Sequence, residues 1–139
     1  MAPKLLRMAA AGGVAALAVA VAPAWSHQIA SNNGVSVQVH VDPNDEPIVG
    51  QATTVWVVRV KARDAVFAWK TCRCRLNVFD SSGAVLFNSI VKTPRTSVTF
   101  PEAKAYGITF SGRVKRKGIW RTFKVSYAIR ASAPGQPSE

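Results

Sequence analysis

The sequence predicts an all-β fold, an antiparallel β-sandwich of about seven strands, with an up-and-down barrel or a cupredoxin-like sandwich as the alternatives. After residue 30 no stretch repeats apolar residues with the period of a helix, whereas β-branched and aromatic residues recur at every second position. The resulting strands follow one another at spacings of about ten residues and are separated by turn-forming residues. The 139 residues allow one domain, and 48% hydrophobic residues suffice for a packed core.

The strands differ in how clearly the sequence marks them. The clearest is the segment 35–41, in which valine alternates with polar residues. In the second strand we expect the even-numbered residues from Thr54 to Val60 to share one face. Pro94 interrupts the chain before the fifth strand, which we therefore expect to be short or at a sheet edge. The predicted strands lie at about 35–41, 54–61, 70–80, 84–90, 97–100, 106–110 and 123–130.

Residues 1–26 are predicted to be a secretory signal peptide. Lys4 and Arg7 form a positively charged start. The 14-residue apolar stretch from Met8 to Val21 follows, and it is too short for a membrane span of about 20 residues. A small-x-small triplet that ends at Ser26 favours cleavage there, and a cut two residues earlier is the alternative. An uncleaved signal anchor is the other interpretation.

Cleavage leaves a single domain over residues 27–130 and a polar, Pro-containing tail, 131–139, which we expect to be disordered. The mature protein is expected in the periplasm or outside the cell, with no transmembrane segment after cleavage. Lys and Arg number 18 against 7 Asp and Glu, a formal net charge of +11. That excess predicts anionic partners or surfaces.

Three segments carry a resemblance to a known type of domain, and they are Glu46-Pro47-Ile48-Val49-Gly50-Gln51, Phe79-Asp80-Ser81-Ser82-Gly83 and Tyr106…Ser111-Gly112…Phe123. With them, most of residues 35–130 resembles the small immunoglobulin-like modules of bacterial periplasmic proteins, of the YtkA-like and FixH-like type. The family pattern commonly has Gly before the Tyr, whereas here Ala105 precedes Tyr106 and Gly107 follows it. The resemblance implies an immunoglobulin-like sandwich with a binding or accessory role for metal-handling or envelope proteins. It transfers no site residue.

Cys72 and Cys74 are the pair most indicative of chemistry. On a strand, residues i and i+2 project to one face, so both sulfurs would point the same way with Cα atoms about 6.5 Å apart. That distance is near the upper limit for a disulfide. Two thiolates at this spacing suit Cu(I), so copper or another soft metal is the predicted ligand. The alternatives are a labile redox pair, a local disulfide, or two small buried hydrophobes beside Leu76 and Val78.

The two histidines are candidates for further ligands. If the signal is removed after Ser26, His27 becomes N-terminal, and its α-amine and imidazole could chelate Cu(II). A solvated terminus is the alternative. We expect His40 to be exposed and to lie outside any site. The acidic segment 42–46 lacks the Gly and the ligand spacing of a calcium loop and is predicted to be a turn.

Basic side chains concentrate late in the chain, around the tip of a predicted last hairpin at Gly118. In an exported protein such a surface fits anionic lipid headgroups, acidic envelope polymers or an acidic partner protein rather than nucleic acid. Trp120 beside the tip could stack or anchor at an interface. The alternative is a solvated hairpin whose charges protect edge strands from aggregation. The candidate residues are Arg113, Lys115, Arg116, Lys117, Trp120, Arg121 and Lys124.

Nothing in the sequence forms a recognisable catalytic constellation, since two His and seven acids, mostly in loops, make no triad. The predicted function is an exported, non-enzymatic binding or accessory module that holds copper or another soft metal through Cys72 and Cys74, with His27 as a contributor. The alternative is an interaction or structural protein that docks an anionic envelope surface or a partner protein through the basic hairpin. Electrostatic docking should weaken steeply with added salt, whereas a thiolate site should barely respond.

Overall fold

The computed structural model describes residues 28–136, which contain nine strands and no helix. The all-β prediction is confirmed, although two short strands that the sequence did not mark raise the strand count. One is the polar segment QIASN, and the other has two residues. The predicted signal peptide, with His27 after it, lies outside the described residues. The strands are β1 (Gln28–Asn32), β2 (Val35–Val41), β3 (Ala52–Ala62), β4 (Ala65–Val66), β5 (Arg75–Asp80), β6 (Val85–Ile90), β7 (Arg95–Thr99), β8 (Ala105–Arg116) and β9 (Ile119–Arg130).

The strands form two antiparallel sheets. The first has the order β1-β2-β3-β7, so β7 lies at an edge, as Pro94 predicted. In the second sheet β8 is central, because β9 pairs with it from Ala105 to Arg116 on one side. β5 and then β4 pair along the other side of β8, and β6 lies beyond β5. Together the sheets form a β-sandwich, as predicted.

The core lies between the inward faces of the two sheets. Its members alternate with more exposed neighbours along β2, β5 and β9, which is the pattern that one buried face produces. Four valines of β2 are at most 3% exposed, as the sequence predicted. The largest fully buried side chains from the other strands include Leu76, Val78, Phe100, Ile108 and Phe110.

The prediction that the even-numbered residues of β3 from Thr54 to Val60 share one face is wrong. At the start of the strand the buried residues are Thr53, Val55 and Val57, so Thr54 and Trp56 lie on the outer face there. Further along, the register against β2 steps from Val57 to Arg59. That β-bulge inserts one residue and reverses the face. Four consecutive apolar residues at 55–58 hide the alternation from sequence inspection.

The connection from β7 to β8 carries the chain from one sheet to the other. The hydroxyl of Tyr106 donates to the carbonyl of Glu102 at 2.9 Å and accepts from its N–H at 3.2 Å. The Tyr106 ring lies edge-on to Phe100, with 4.9 Å between centroids. A tyrosine bonded back to the backbone just upstream is the tyrosine corner of immunoglobulin-like sandwiches. This corner and the strand order agree with the predicted immunoglobulin-like layout.

Side chains from the first sheet cover the free edge of β9. The amide of Gln28 donates to the carbonyl of Ala128 at 2.8 Å. The side-chain oxygen of Asn32 accepts from the backbone N–H of Lys124 at 3.0 Å. These bonds occupy backbone groups that another strand would need, so the edge of β9 is protected from strand addition.

The chain stays packed against the sandwich after β9. Ala131 is buried, and its N–H donates to the carbonyl of Lys104 at 3.0 Å. Ser132 forms a parallel bridge with Ile48. These two residues were expected to begin the disordered tail, but the structure places them in the domain; residues 137–139 lie outside the described part. Over residues 28–136 no helix is long and apolar enough to cross a membrane.

Candidate anion-binding surface

The β8–β9 hairpin extends beyond its neighbour β5, which pairs with β8 only as far as Ser111. β8 continues to Arg116 with β9 paired along it. Lys117 and Gly118 form the turn, with φ angles of 48° and 77°. Two successive positive φ values are typical of the two-residue turns that best fit the twist of a hairpin. The sequence thus placed the tip of the last hairpin correctly.

The seven predicted residues divide between the two faces of this hairpin rather than forming one cluster. Residues opposite each other in the register share a face, and successive residues alternate. The outer face of the sheet carries Arg113, Lys115, Trp120 and Lys124, the face on the core side carries Arg116 and Arg121, and the turn carries Lys117.

Two cations of the outer face lie over the ring of Trp120. The guanidinium carbon of Arg113 lies 4.0 Å from the centre of its ring, and Lys115 Nζ lies 5.7 Å away. Such cation–π contacts contribute roughly 0.5–1 kcal/mol at exposed sites. Arg113 Nε also donates to the carbonyl of Thr71 at 3.1 Å. Two positive charges are therefore held at defined positions although no carboxylate takes part.

Arg116 has a structural role. Its Nε donates to the carbonyl of Arg63 at 2.8 Å, and its Nη2 donates to the carbonyl of Asn33 at 3.1 Å. The side chain thereby ties the hairpin to the β3–β4 and β1–β2 connections. Two of its five N–H donors are committed to these backbone groups, which fixes the position of its charge.

Cys72 and Cys74 are bonded to each other and fully buried. Of the alternatives that the sequence left open for this pair, the local disulfide is the one present in the structure. The Cα atoms are 5.0 Å apart, closer than the expected 6.5 Å or so of an extended chain. The reason is Arg73, whose φ of 48° lies in the left-handed region. The predicted strand from residue 70 is thus wrong at its start, and β5 begins at Arg75.

The disulfide packs against β8 from the core side. A Cβ atom on Gly112 would lie 2.8 Å from Cys74 Sγ and 3.0 Å from the ring of Phe123, so a glycine is needed for this approach. The carbonyl of Cys72 accepts from the N–H of Arg113 at 3.0 Å. The segment therefore continues along β8 beyond the end of β5, with both sulfurs inside and Arg73 exposed.

An open cleft of about 430 Å³ lies beside the disulfide turn and the adjoining part of β8 and β9; we call it the basic cleft. Its cationic side chains come from the disulfide turn, β5, β8 and β9, and none of its lining residues is acidic. Within residues 28–136 the side chains of Arg73 and Lys124 form no hydrogen bond or ion pair. Like charges gathered in this way favour an anion between them. The four cations are Arg73, Arg75, Arg113 and Lys124.

Sequence reasoning did not assign Arg73 and Arg75 to the basic surface. The signal was present, because the polar alternates of a buried strand face must share the outer face. The sequence alone does not indicate which strands pair with one another. Arg75 lies opposite Ser111 on β8, and Ser111 lies opposite Lys124 on β9. This row across three strands joins residues that are 49 positions apart in the sequence.

Over residues 28–136 there is no group of three or more His, Cys, Asp and Glu that could hold a metal ion. His40, expected to be exposed, is half-buried, with its ring nitrogens 3.0 Å from Asp42 and 2.9 Å from Asp45. The acidic segment is a turn, as predicted. Copper binding stays a prediction, and it requires Cys72 and Cys74 to be reduced first, since a metal needs their thiolates.

The fold and this surface define the class of the protein as an immunoglobulin-like β-sandwich domain with a cationic cleft above a local disulfide. No protein-family model matches the chain, and no curated protein or solved structure matches it significantly. The resemblance to the YtkA-like and FixH-like modules therefore stays a prediction.

Proposed function

We propose that this protein is an exported, non-catalytic module that docks an anionic surface of the cell envelope through the basic cleft and the adjoining hairpin. The observation that carries the proposal is the composition of the cleft. Four cationic side chains from separate segments meet there, and no carboxylate lies among them. Phosphate and carboxylate groups are the complementary ligands, because arginine offers them paired donors.

Export is supported by two independent features. The charged start, the short apolar stretch and the small residues before position 27 fit a secretory signal. The bonded Cys72 and Cys74 fit an oxidising compartment, where disulfides persist. An envelope location in turn makes lipid headgroups and acidic polymers the abundant anions.

The position of the charges argues against a purely protective role. Cations that prevent aggregation belong on the edge strands of a sheet. Arg113 and Lys115 instead lie on β8, the central strand of its sheet, where both backbone edges are already paired. Charges on the broad face of a central strand do not shield an edge, and this position supports a role in binding a ligand.

The test is binding of the protein to immobilised inorganic polyphosphate at rising salt. We compare Arg73→Gln and Lys124→Gln with Arg130→Gln and Lys61→Gln, which remove equal charge. Arg130 lies on the same strand and face as Lys124 but about 20 Å away. Lys61 lies on the outer face of the other sheet.

Hydrogen bonds to charged groups contribute about 1.5–3 kcal/mol, so each cleft variant should weaken binding roughly tenfold. The controls should have little effect, and binding should fall steeply with salt. Equal losses in all four variants would show that net charge alone attracts the polymer. Either that result or salt-independent binding would contradict the proposal.

A further inference from the structure

Three exposed apolar side chains lie at the end of the β8–β9 hairpin. Val66 is 80% exposed, Ile119 is 55% exposed and Trp120 is 41% exposed. The strand register places Val66 and Trp120 in one row on the outer face, with Lys115 between them. Ile119 precedes Trp120 at the start of β9 and lies opposite Arg116, so its side chain projects to the other face of the hairpin end. We call these three residues the apolar tip.

The apolar tip is surrounded by positive charge. Lys117 is in the turn, and Arg113 and Lys115 lie over the Trp120 ring. On the other side of Trp120 a second cleft, of about 460 Å³, is lined in part by Arg116 and Arg121. The tip therefore lies near two clefts that are lined by cationic side chains.

We propose that the apolar tip inserts into the headgroup layer of an anionic lipid bilayer while the two clefts take up lipid phosphates. This inference rests on the proposed function and names its surface. A soluble acidic polymer would need only the cations for binding, and the exposed apolar residues would stay in water. A bilayer offers anions at its surface and an apolar layer just beneath them, which matches a tip of this composition.

Tryptophan fits this placement. Its ring is apolar with one polar N–H, and for this reason tryptophan concentrates where water meets lipid. Arginine and lysine side chains can keep their charges at the phosphate level while their methylene groups lie along the apolar layer. The arrangement is an end-on contact by one hairpin, so no segment of residues 28–136 needs to cross the membrane.

The test uses the purified protein with vesicles of phosphatidylcholine alone or mixed with an equal part of phosphatidylglycerol. Sedimentation measures binding, and the emission of Trp120, identified by comparison with Trp120→Phe, reports its surroundings. The tip variant is Val66→Ser/Ile119→Ser. The matched control is Val85→Ser/Ile29→Ser, which removes the same residue types from positions that are 57% and 67% exposed and away from the end of the hairpin.

We expect binding to the mixed vesicles with a blue shift of the Trp120 emission. The tip variant should bind them about tenfold or more weakly, because each buried aliphatic side chain contributes substantially to transfer from water. Its binding to polyphosphate should be unchanged. The control should behave as the unmodified protein in both assays.

Three results would overturn the inference and leave the proposed function intact. They are binding to polyphosphate without binding to vesicles, binding to vesicles without a blue shift, and equal binding by the tip variant and its control. The first would assign the surface to an acidic polymer or protein. Failure to bind both polyphosphate and vesicles would instead overturn the proposed function itself.

Discussion

The two ends of the sandwich use charge in different ways. At the end formed by the β2–β3, β5–β6 and β7–β8 connections, carboxylates take part in local structure. Asp80 accepts hydrogen bonds from Ser82 and Ala84 and pairs with Lys104. At the opposite end, around the β8–β9 hairpin, the cations contact backbone carbonyls, the side-chain amide of Asn88, a tryptophan ring or solvent. We call these the acidic end and the basic end.

The difference shows where the charge of the protein is available to a partner. Residues 28–136 contain six acidic side chains, and five of them lie at the acidic end. The sixth, Asp64, lies in the β3–β4 turn at the basic end. At the acidic end Lys104 pairs with Asp80 and Glu102, while Asp42 and Asp45 contact the ring of His40. Charges of the basic end are not balanced within residues 28–136, since no ion pair includes a cation there. The five acidic side chains of the acidic end are those of Asp42, Asp45, Glu46, Asp80 and Glu102.

The largest expected effect comes from Gly112→Ala at the basic end. The added Cβ would be within 3 Å or so of the disulfide and of Phe123, and overpacking of this kind costs about 1–3 kcal/mol. Chemical denaturation measures the free energy of unfolding, and polyphosphate binding should fall with it because Arg113 is displaced. Ser111→Ala, one residue away, is the control and should change stability by less than about 0.5 kcal/mol. Unchanged stability in Gly112→Ala would show that the disulfide does not pack as described.

A smaller effect should follow from Cys72→Ala/Cys74→Ala. Closing so short a loop stabilises by about 1–2 kcal/mol in the chain-entropy treatment. The turn that exposes Arg73 also relaxes, so polyphosphate binding should weaken several-fold. Tyr106→Phe is the matched control, because it loses its corner hydrogen bonds at the acidic end for about 1–2 kcal/mol. If both variants bind polyphosphate equally well, the disulfide has no part in shaping the basic cleft.

Most of the fold could be predicted from the sequence because one buried face leaves a period of two. The valines of β2 and the inward residues from Cys72 to Val78 are examples. The face of β3 could not be predicted, since its apolar residues are consecutive and a bulge resets the register. β1 was missed because its polar side chains bond to β9 rather than entering the core.

The candidate site was predictable in part. The hairpin and its cations follow from the cluster around Gly118, but their division between two faces depends on the register. The basic cleft depends on pairing between distant strands and on the left-handed conformation of Arg73. The sequence pattern could not supply that conformation, because the Cys-Arg-Cys segment also fits an extended strand, and the bonded pair with Cys74 Sγ packed against Gly112 is visible only in the folded structure.

The smallest expected effect lies at the acidic end and depends on pH. Hydrogen bonds from Ser82 and from Lys104 hold the pKa of Asp80 well below its usual range, and the bond to Asp80 raises the pKa of Lys104. A carboxyl whose pKa is lowered by folding stabilises the fold above its unfolded pKa of about 4 and loses that contribution as the pH falls further. Asp80→Asn should therefore be less stable than the unmodified protein near pH 7, and the gap should narrow toward about pH 3. Urea denaturation at both pH values measures the gap.

Asp64→Asn, at the basic end, removes a carboxylate that forms no hydrogen bond or ion pair within residues 28–136 and should show no such trend. A gap for Asp80→Asn that stays constant with pH would mean that its carboxylate is not part of the balanced charge that distinguishes the acidic end.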